Sequence, residues 1–187
     1  MKTREEILEL FFKAENGTLP SDFHEWDLHD EDGWSIAHHA VMFRHLPKNF
    51  EKWHLANKEG WTVGHVAATY NHLPKNFKDW HLSDNNGYTV AHEAARCGHL
   101  PKEFYRWSIK SADGWTVAHE AAFYNHLPED FNDWKLMDRR EFTVAHVVAC
   151  FGHLPNSFNQ WNLKDKNGRT VAYLSKRCGE LPNDFKG

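Results

Sequence analysis

Leu100 to His126 reads L-P-K-E-F-Y-R-W-S-I-K-S-A-D-G-W-T-V-A-H-E-A-A-F-Y-N-H, and the phrase returns every 27 residues without a gap. The seven prolines mark the period: Pro20, Pro47, Pro74, Pro101, Pro128, Pro155 and Pro182, each preceded by Leu. Three residues after each proline stands a Phe, from Phe23 to Phe185, and three further on a Trp, from Trp26 to Trp161. An aliphatic residue follows, then a polar turn, usually a Gly, an aromatic residue and T-V-A-H-x-A-A. Six complete units run from Leu19 to Glu180, and a seventh stops after Phe185. A fixed period of this length marks a repeat architecture, because one such unit cannot bury its apolar stripe alone and neighbours must stack.

Each unit predicts a helix, a tight loop, a short second helix and an exposed turn. In the quoted unit Gly114 suits a positive φ, and Thr116 is placed to cap the helix that follows. That helix runs from Val117 to about Tyr124, with small apolar residues Val117, Ala118, Ala121 and Ala122 letting a neighbour approach. Asn125 suits a left-handed C-cap, as do Gly98, Gly152 and Gly179 at the same phase. Leu127 and Pro128 predict the second helix, with Pro at its first position and Phe131 and Trp134 as i, i+3 neighbours. Residues 1–18 supply an N-terminal capping helix, amphipathic over 4–15 and ending at Asn16-Gly17. In the last full unit Arg169 replaces the aromatic residue, Tyr173 the His, and Lys176-Arg177 enter the helix, so a polar face ends the stack. Residues 181–187 form a C-terminal partial repeat. The expected fold is an all-α helical solenoid of six repeats over 19–180 with caps at both ends. At roughly 8–10 Å per packed helix it makes a rod roughly 40–60 Å long.

The run from Asp113 to Leu127, D-G-W-T-V-A-H-E-A-A-F-Y-N-H-L, resembles the ankyrin repeat, whose signature is G-x-T-P-L-H-x-A-A-x-x-G-H. The match recurs across residues 33–180. Two departures stand out. Val63, Val90, Val117, Val144 and Val171 occupy the place where ankyrins prefer Pro, and the unit is shorter than the family's roughly 33 residues. The loss falls in the second helix and the finger-like turn, so the chain looks like a compact, shortened ankyrin-type solenoid, similar to repeats found in bacterial and phage proteins. The resemblance implies a partner-binding scaffold. It implies that the first histidine of each unit hydrogen-bonds backbone in the adjoining turn. It also implies that the row Trp34, Trp61, Tyr88, Trp115 and Phe142 lies beside the exposed turn, on the concave side that partners use.

The rest of the sequence narrows the chemistry. Lys and Arg number 22 against 26 Asp and Glu, a formal charge of −4, which is no basic nucleic-acid binder by default. No apolar run is long enough to span a bilayer, so no membrane role is expected. Met1 to Phe12 lacks the pattern of a secretory leader. Three cysteines, an odd number, fit reduced thiols and a cytoplasmic setting, in its own cell or in a host cell's cytosol after delivery. Cys97 and Cys178 share a phase three units apart, and Cys150 and Cys178 stand one position out of phase, so no disulfide is expected. Five histidines (His38, His65, His92, His119, His146) and five more closing the units (His45, His72, His99, His126, His153) recur too regularly for one closed ligand set. They read as stacking elements, the second group favoured at helix C-termini. No metal and no cofactor are expected.

His92-Glu93 and His119-Glu120 begin an H-E-x-x-H motif, but Arg96 and Phe123 stand where its second His belongs. G-x-S-x-G, a Gly-rich phosphate loop and C-x-x-C are all missing, so no enzyme is expected. The Phe and Trp columns read as core. The aromatic row divides between a hot-spot ladder and structural cover. Turn residues vary between units (Asn57-Lys58-Glu59, Asp84-Asn85-Asn86, Ser111-Ala112-Asp113, Asp138-Arg139-Arg140), as do helix positions Met42, Thr69, Arg96, Phe123 and Cys150. In the fifth unit Glu141 stands where Gly belongs, at a cost on the order of 1 kcal/mol if the turn keeps positive φ. Charge is graded: Asp22, Glu25, Asp27, Asp30, Glu31 and Asp32 crowd the first unit, and Lys164, Lys166, Arg169, Lys176 and Arg177 the sixth.

The reading is a module that binds, and blocks or masks, another protein through the concave face and turns of repeats two to five, an effector or inhibitor. With no second domain attached, binding itself is the expected activity. Its candidate partner-binding residues are Trp34, Trp61, Tyr88, Trp115 and Phe142 with Lys58, Asn85, Asp113, Arg139 and Arg140. The alternative is nucleic-acid binding through the aromatic row and the basic last unit. End-to-end self-association of the rod stays open.

Overall fold

The structure, a computed structural model, describes residues 2–152 and 154–179. Among these residues seven helices form: α1 (Arg4–Glu15), α2 (Ile36–Met42), α3 (Val63–Thr69), α4 (Val90–Cys97), α5 (Val117–Phe123), α6 (Val144–Phe151) and α7 (Val171–Cys178). From α2 onward each helix starts 27 residues after the last. The chain divides into two compact units, Met1–Ala94 and Ala95–Gly187, with the division inside α4. The partial repeat 181–187 and His153 lie outside the described residues.

Helices of seven or eight residues are too short to hold themselves together in water, so their ends decide their stability. In α5 all the early N–H groups find partners. Val117 N–H donates to Ile109 O at 3.0 Å and Ala118 N–H to Trp107 O at 3.2 Å. His119 N–H donates to Thr116 Oγ1 at 3.3 Å. At the other end Asn125 takes φ 60°. Its N–H reaches Ala122 O and that of His126 reaches Ala121 O, the paired bonds of a Schellman closure. Thr62 and Asn71 close α3 in the same way in the first unit. Gly152 differs: it leaves α6 extended, at φ −150°.

Among the described residues the second helix of the repeat does not form. Between His126 and α6 the backbone makes two tight turns, closed by Phe131 N–H to Pro128 O and Leu136 N–H to Asp133 O. Proline therefore opens a turn here and not a helix. The extended backbone after the turns has its own task, since the carbonyls of the Trp and of the aliphatic residue two later cap the helix that follows. Coiling Trp107 to Ile109 into a helix would withdraw both acceptors from α5. The missing six residues of the ankyrin length have gone with that helix.

The core is an alternating ladder of rings. In the first unit Trp26, Phe50, Trp53, Phe77 and Trp80 follow one another edge to face, with centroids 5.0–5.7 Å apart. In the second unit Phe104, Trp107, Phe131, Trp134, Phe158 and Trp161 repeat the pattern at 5.0–5.6 Å. Such T-shaped pairs stabilise beyond the area they bury. Above the ladder the Val and Ala-Ala positions of the helices are fully buried or nearly so. At the N-terminus Phe11 and Ala14 of α1 seal the first repeat against Trp26, Ile36 and Ala40. A capping box of Thr3 and Glu6 starts α1, and Gly17 at φ 67° ends it.

Candidate functional site

The histidines join the repeats. His119 is fully buried. Its Nδ1 accepts from the Thr116 hydroxyl at 2.6 Å and from Thr116 N–H at 3.3 Å. Two donors on Nδ1 leave the ring proton on Nε2, which donates to Phe142 O of the next repeat at 2.8 Å. The same bridge runs from His38 to Trp61 O and from His65 to Tyr88 O in the first unit, and from His146 to Arg169 O in the second. Burial, opposed by that carbonyl bond, pushes His38 down to about 4 and lowers His65, His119 and His146. The closing histidines work backwards along the stack. His72 Nδ1 bonds Val41 O at 2.6 Å and His126 Nδ1 bonds Ala95 O at 3.0 Å, each a carbonyl of the preceding repeat's helix.

The aromatic row belongs partly to this joint. Trp34, Trp61, Tyr88, Trp115 and Phe142 are each half-buried, and each lies on the histidine of its own repeat at 4.5–5.3 Å. Trp61 also stacks on Tyr88 at 6.4 Å and 10°. Trp115 Nε1 donates to Glu120 at 2.7 Å. The rings cover the histidines, and their outer faces form the part of the row a partner could reach.

The turns are more constrained than their sequences suggest. Asp30, Asn57, Asp84, Asp138 and Asp165 each accept two backbone N–H bonds through one Oδ1, from the residues two and four further on. In the fourth repeat Ser111 takes that place and Asp113 bonds its hydroxyl. That bond, with those from Trp115 N–H and its own backbone, lowers the Asp113 carboxyl against burial. Successive turns are also tied together. Lys58 N–H donates to Asp32 O, Asn85 N–H to Glu59 O, and Lys166 N–H to Arg140 O, at 3.0–3.1 Å. The Asn85 side chain donates to Lys58 O at 2.9 Å. The approach is close: a Cβ on Gly60 would stand 2.6 Å from Asn85 N. Glu141 does adopt the left-handed conformation, at φ 58°.

Among the candidate residues, then, Asn85 and Asp113 spend their side chains on the turns. Lys58, Arg139 and Arg140 project theirs outward and are exposed. In the last repeat Arg169 forms a two-bond pair with buried Asp165, at 2.6 and 2.7 Å. Burial would raise the Asp165 carboxyl, but the Arg169 bonds and turn N–H groups hold it below its ordinary range. Arg169 is thereby committed to the turn, and the basic surface there consists of Lys164, Lys166, Lys176 and Arg177.

A second aromatic group stands at the C-terminal ends of α5 and α6. Phe123, Tyr124 and Phe151 are 41%, 42% and 57% exposed. Phe123 touches both others, with centroids 5.1 Å from Tyr124 and 4.6 Å from Phe151. The variability of position 123 marked it; Tyr124 and Phe151 carried no signal, since their phase also holds Phe43, Tyr70 and Cys97. Among the described residues no three His, Cys, Asp or Glu converge as metal ligands would. No described helix is long and apolar enough to cross a membrane.

No protein-family model matches the sequence, and no curated protein does. Solved structures do match. The chain is similar to the crystal structure of the ankyrin repeat domain of Bcl-3, a unique member of the IkappaB protein family, at 15% identity. The alignment covers 88% of this chain and 92% of that one, with a TM-score of 0.66. The fold is the all-α ankyrin-repeat fold, built here without the second helix.

Proposed function

We propose that the protein binds another protein through the concave face and turns of repeats two to five, and so blocks or masks it. The observation that carries this reading is the exposed cluster of Phe123, Tyr124 and Phe151. Tyr124 lies over the closing His126 on one face, while Phe123 and Phe151 pack on one another and stay largely exposed, and large aromatic side chains anchor interfaces. In the same unit Arg139 and Arg140 are exposed in the turn that leads into α6, so a partner offering an apolar anchor together with acidic groups suits this repeat. Nucleic acid is the less favoured occupant, because Arg169 is committed to Asp165 and the aromatic row is half-covered by histidine contacts.

The test is capture from a lysate of the encoding organism. The native chain is compared with one carrying Phe123→Ser, Phe151→Ser and Arg140→Ala, all exposed positions whose loss leaves the core intact. A protein retained by the native chain and lost from the variant supports the assignment. Equal capture by both refutes this face. Recovery of nucleic acid alone, released by moderate salt, refutes the class.

A further inference from the structure

Cys150 in α6 and Cys178 in α7 are 28 residues apart, one repeat plus one position. That offset looks unfavourable on a flat register of repeats. In the structure it is the contact offset: Phe123 and Phe151 are also 28 residues apart, and their rings touch at 4.6 Å. The ends of the helices meet diagonally, and the two cysteines occupy the next step of the same diagonal. α6 and α7 pack against each other, and the two thiols lie within interaction range. Cys178 is exposed and Cys150 half-buried. Cys97, in phase with Cys178, stands three repeats away.

We infer that Cys150 and Cys178 form a dithiol–disulfide modification site, in which a small-molecule disulfide such as oxidised glutathione reversibly cross-links α6 to α7. The exposed thiol starts the reaction. Cys178 loses its proton and its thiolate attacks the small disulfide, giving a mixed disulfide and one glutathione thiolate. Cys150 then loses its proton and attacks the Cys178 sulfur, releasing the second glutathione. Two protein thiols are oxidised, one small disulfide is reduced to two thiols, and the two protons end on the leaving groups. Burial, then the neighbouring Cys178 sulfur, push the Cys150 thiol up to about 11, against the pull of Arg169 and Arg177. Closure is therefore the slower step at neutral pH, and Cys178 is the entry point.

The full chain is incubated in oxidised and reduced glutathione, quenched with a maleimide and digested with trypsin. The expected product is a disulfide joining peptide 141–164 to peptide 178–186, formed equally by Cys97→Ser and absent from Cys150→Ser and Cys178→Ser. The closed loop raises the thermal midpoint by roughly 5–10 °C, and dithiothreitol reverses the shift. A Cys178 that keeps its glutathione while Cys150 stays open to maleimide overturns the inference. So does oxidation that yields only links between molecules.

Discussion

Mild acid should unfold this protein through its buried histidines. In the folded chain each Nδ1 already accepts two bonds, and protonating it sets a proton against the N–H of Ser35 at His38, or of the Thr at the same place in later repeats. An ordinary histidine in the unfolded chain titrates near 6.5, whereas His38 is held down at about 4. A histidine whose folded value is depressed contributes stability that is fully present above its unfolded value. That contribution is lost as pH falls through the folded value. For His38 the difference corresponds to about 3 kcal/mol, lost between pH 6.5 and 4. His65 is lowered in the same unit, and His119 and His146 in the other. Within the window His38 contributes a slope approaching about 1.4 kcal/mol per pH unit, and the lowered His65, His119 and His146 act in the same direction. The lowered carboxyls of Asp113 and Asp165 act in the opposite range, since their stabilisation is present above about 3.8 and disappears only below it. The interval from pH 6.5 to 5 thus isolates the histidines. Urea unfolding followed by circular dichroism at several pH values measures the slope. His38→Gln should flatten it by about 1.4 kcal/mol per unit. A free energy that is level or rising as pH falls across that interval would refute the assigned tautomer and the depressed values together.

Thr116→Ala removes the N-cap of α5 and one donor to His119, and should cost about 1–2 kcal/mol in urea unfolding. Glu141→Gly relieves a left-handed residue at φ 58° and should raise stability by roughly 0.5–1 kcal/mol after the added chain entropy is counted. The same substitution leaves partner capture unchanged, which a pull-down checks alongside. Trp107→Ala breaks the ring ladder between Phe104 and Phe131 while sparing the carbonyl that caps α5. Its expected cost is about 3–5 kcal/mol, read from the same unfolding curves.

Much of this molecule was legible in its sequence, because the repeated residues do local work. Thr116 as cap, Asn125 in the left-handed cap, Phe131 and Trp134 as core and Glu141 at positive φ all follow from the conformational demands of one residue. The second helix is expected from sequence and does not form, because Pro128 satisfies a helix start and a turn start equally well. What decides between them is the need of α5 for the Trp107 and Ile109 carbonyls, a long-range demand no window of sequence displays. Gly152 suits a left-handed cap by its phase, yet lies extended. The turn aspartates stand among residues that vary between units, yet their Oδ1 atoms bind the backbone of their own turns. For the candidate site, phase alone placed Tyr124 in one column and Phe123 in another. Only the diagonal offset between helices brings Phe123 to Phe151 and Cys150 to Cys178.

The histidine bridge carries a consequence for how such a chain changes over generations. Its donor lies on one repeat and its acceptor is a main-chain oxygen of the next, so the bond is indifferent to which side chain follows. Arg169 receives it as well as Trp61 does. A tandem duplication or deletion of one 27-residue unit therefore leaves the seam on either side chemically complete. Most proteins lose their fold to an insertion of that size. Here recombination between segments that share one register can lengthen or shorten the stack in whole steps, leaving point substitution to adjust the exposed rings and turn tips.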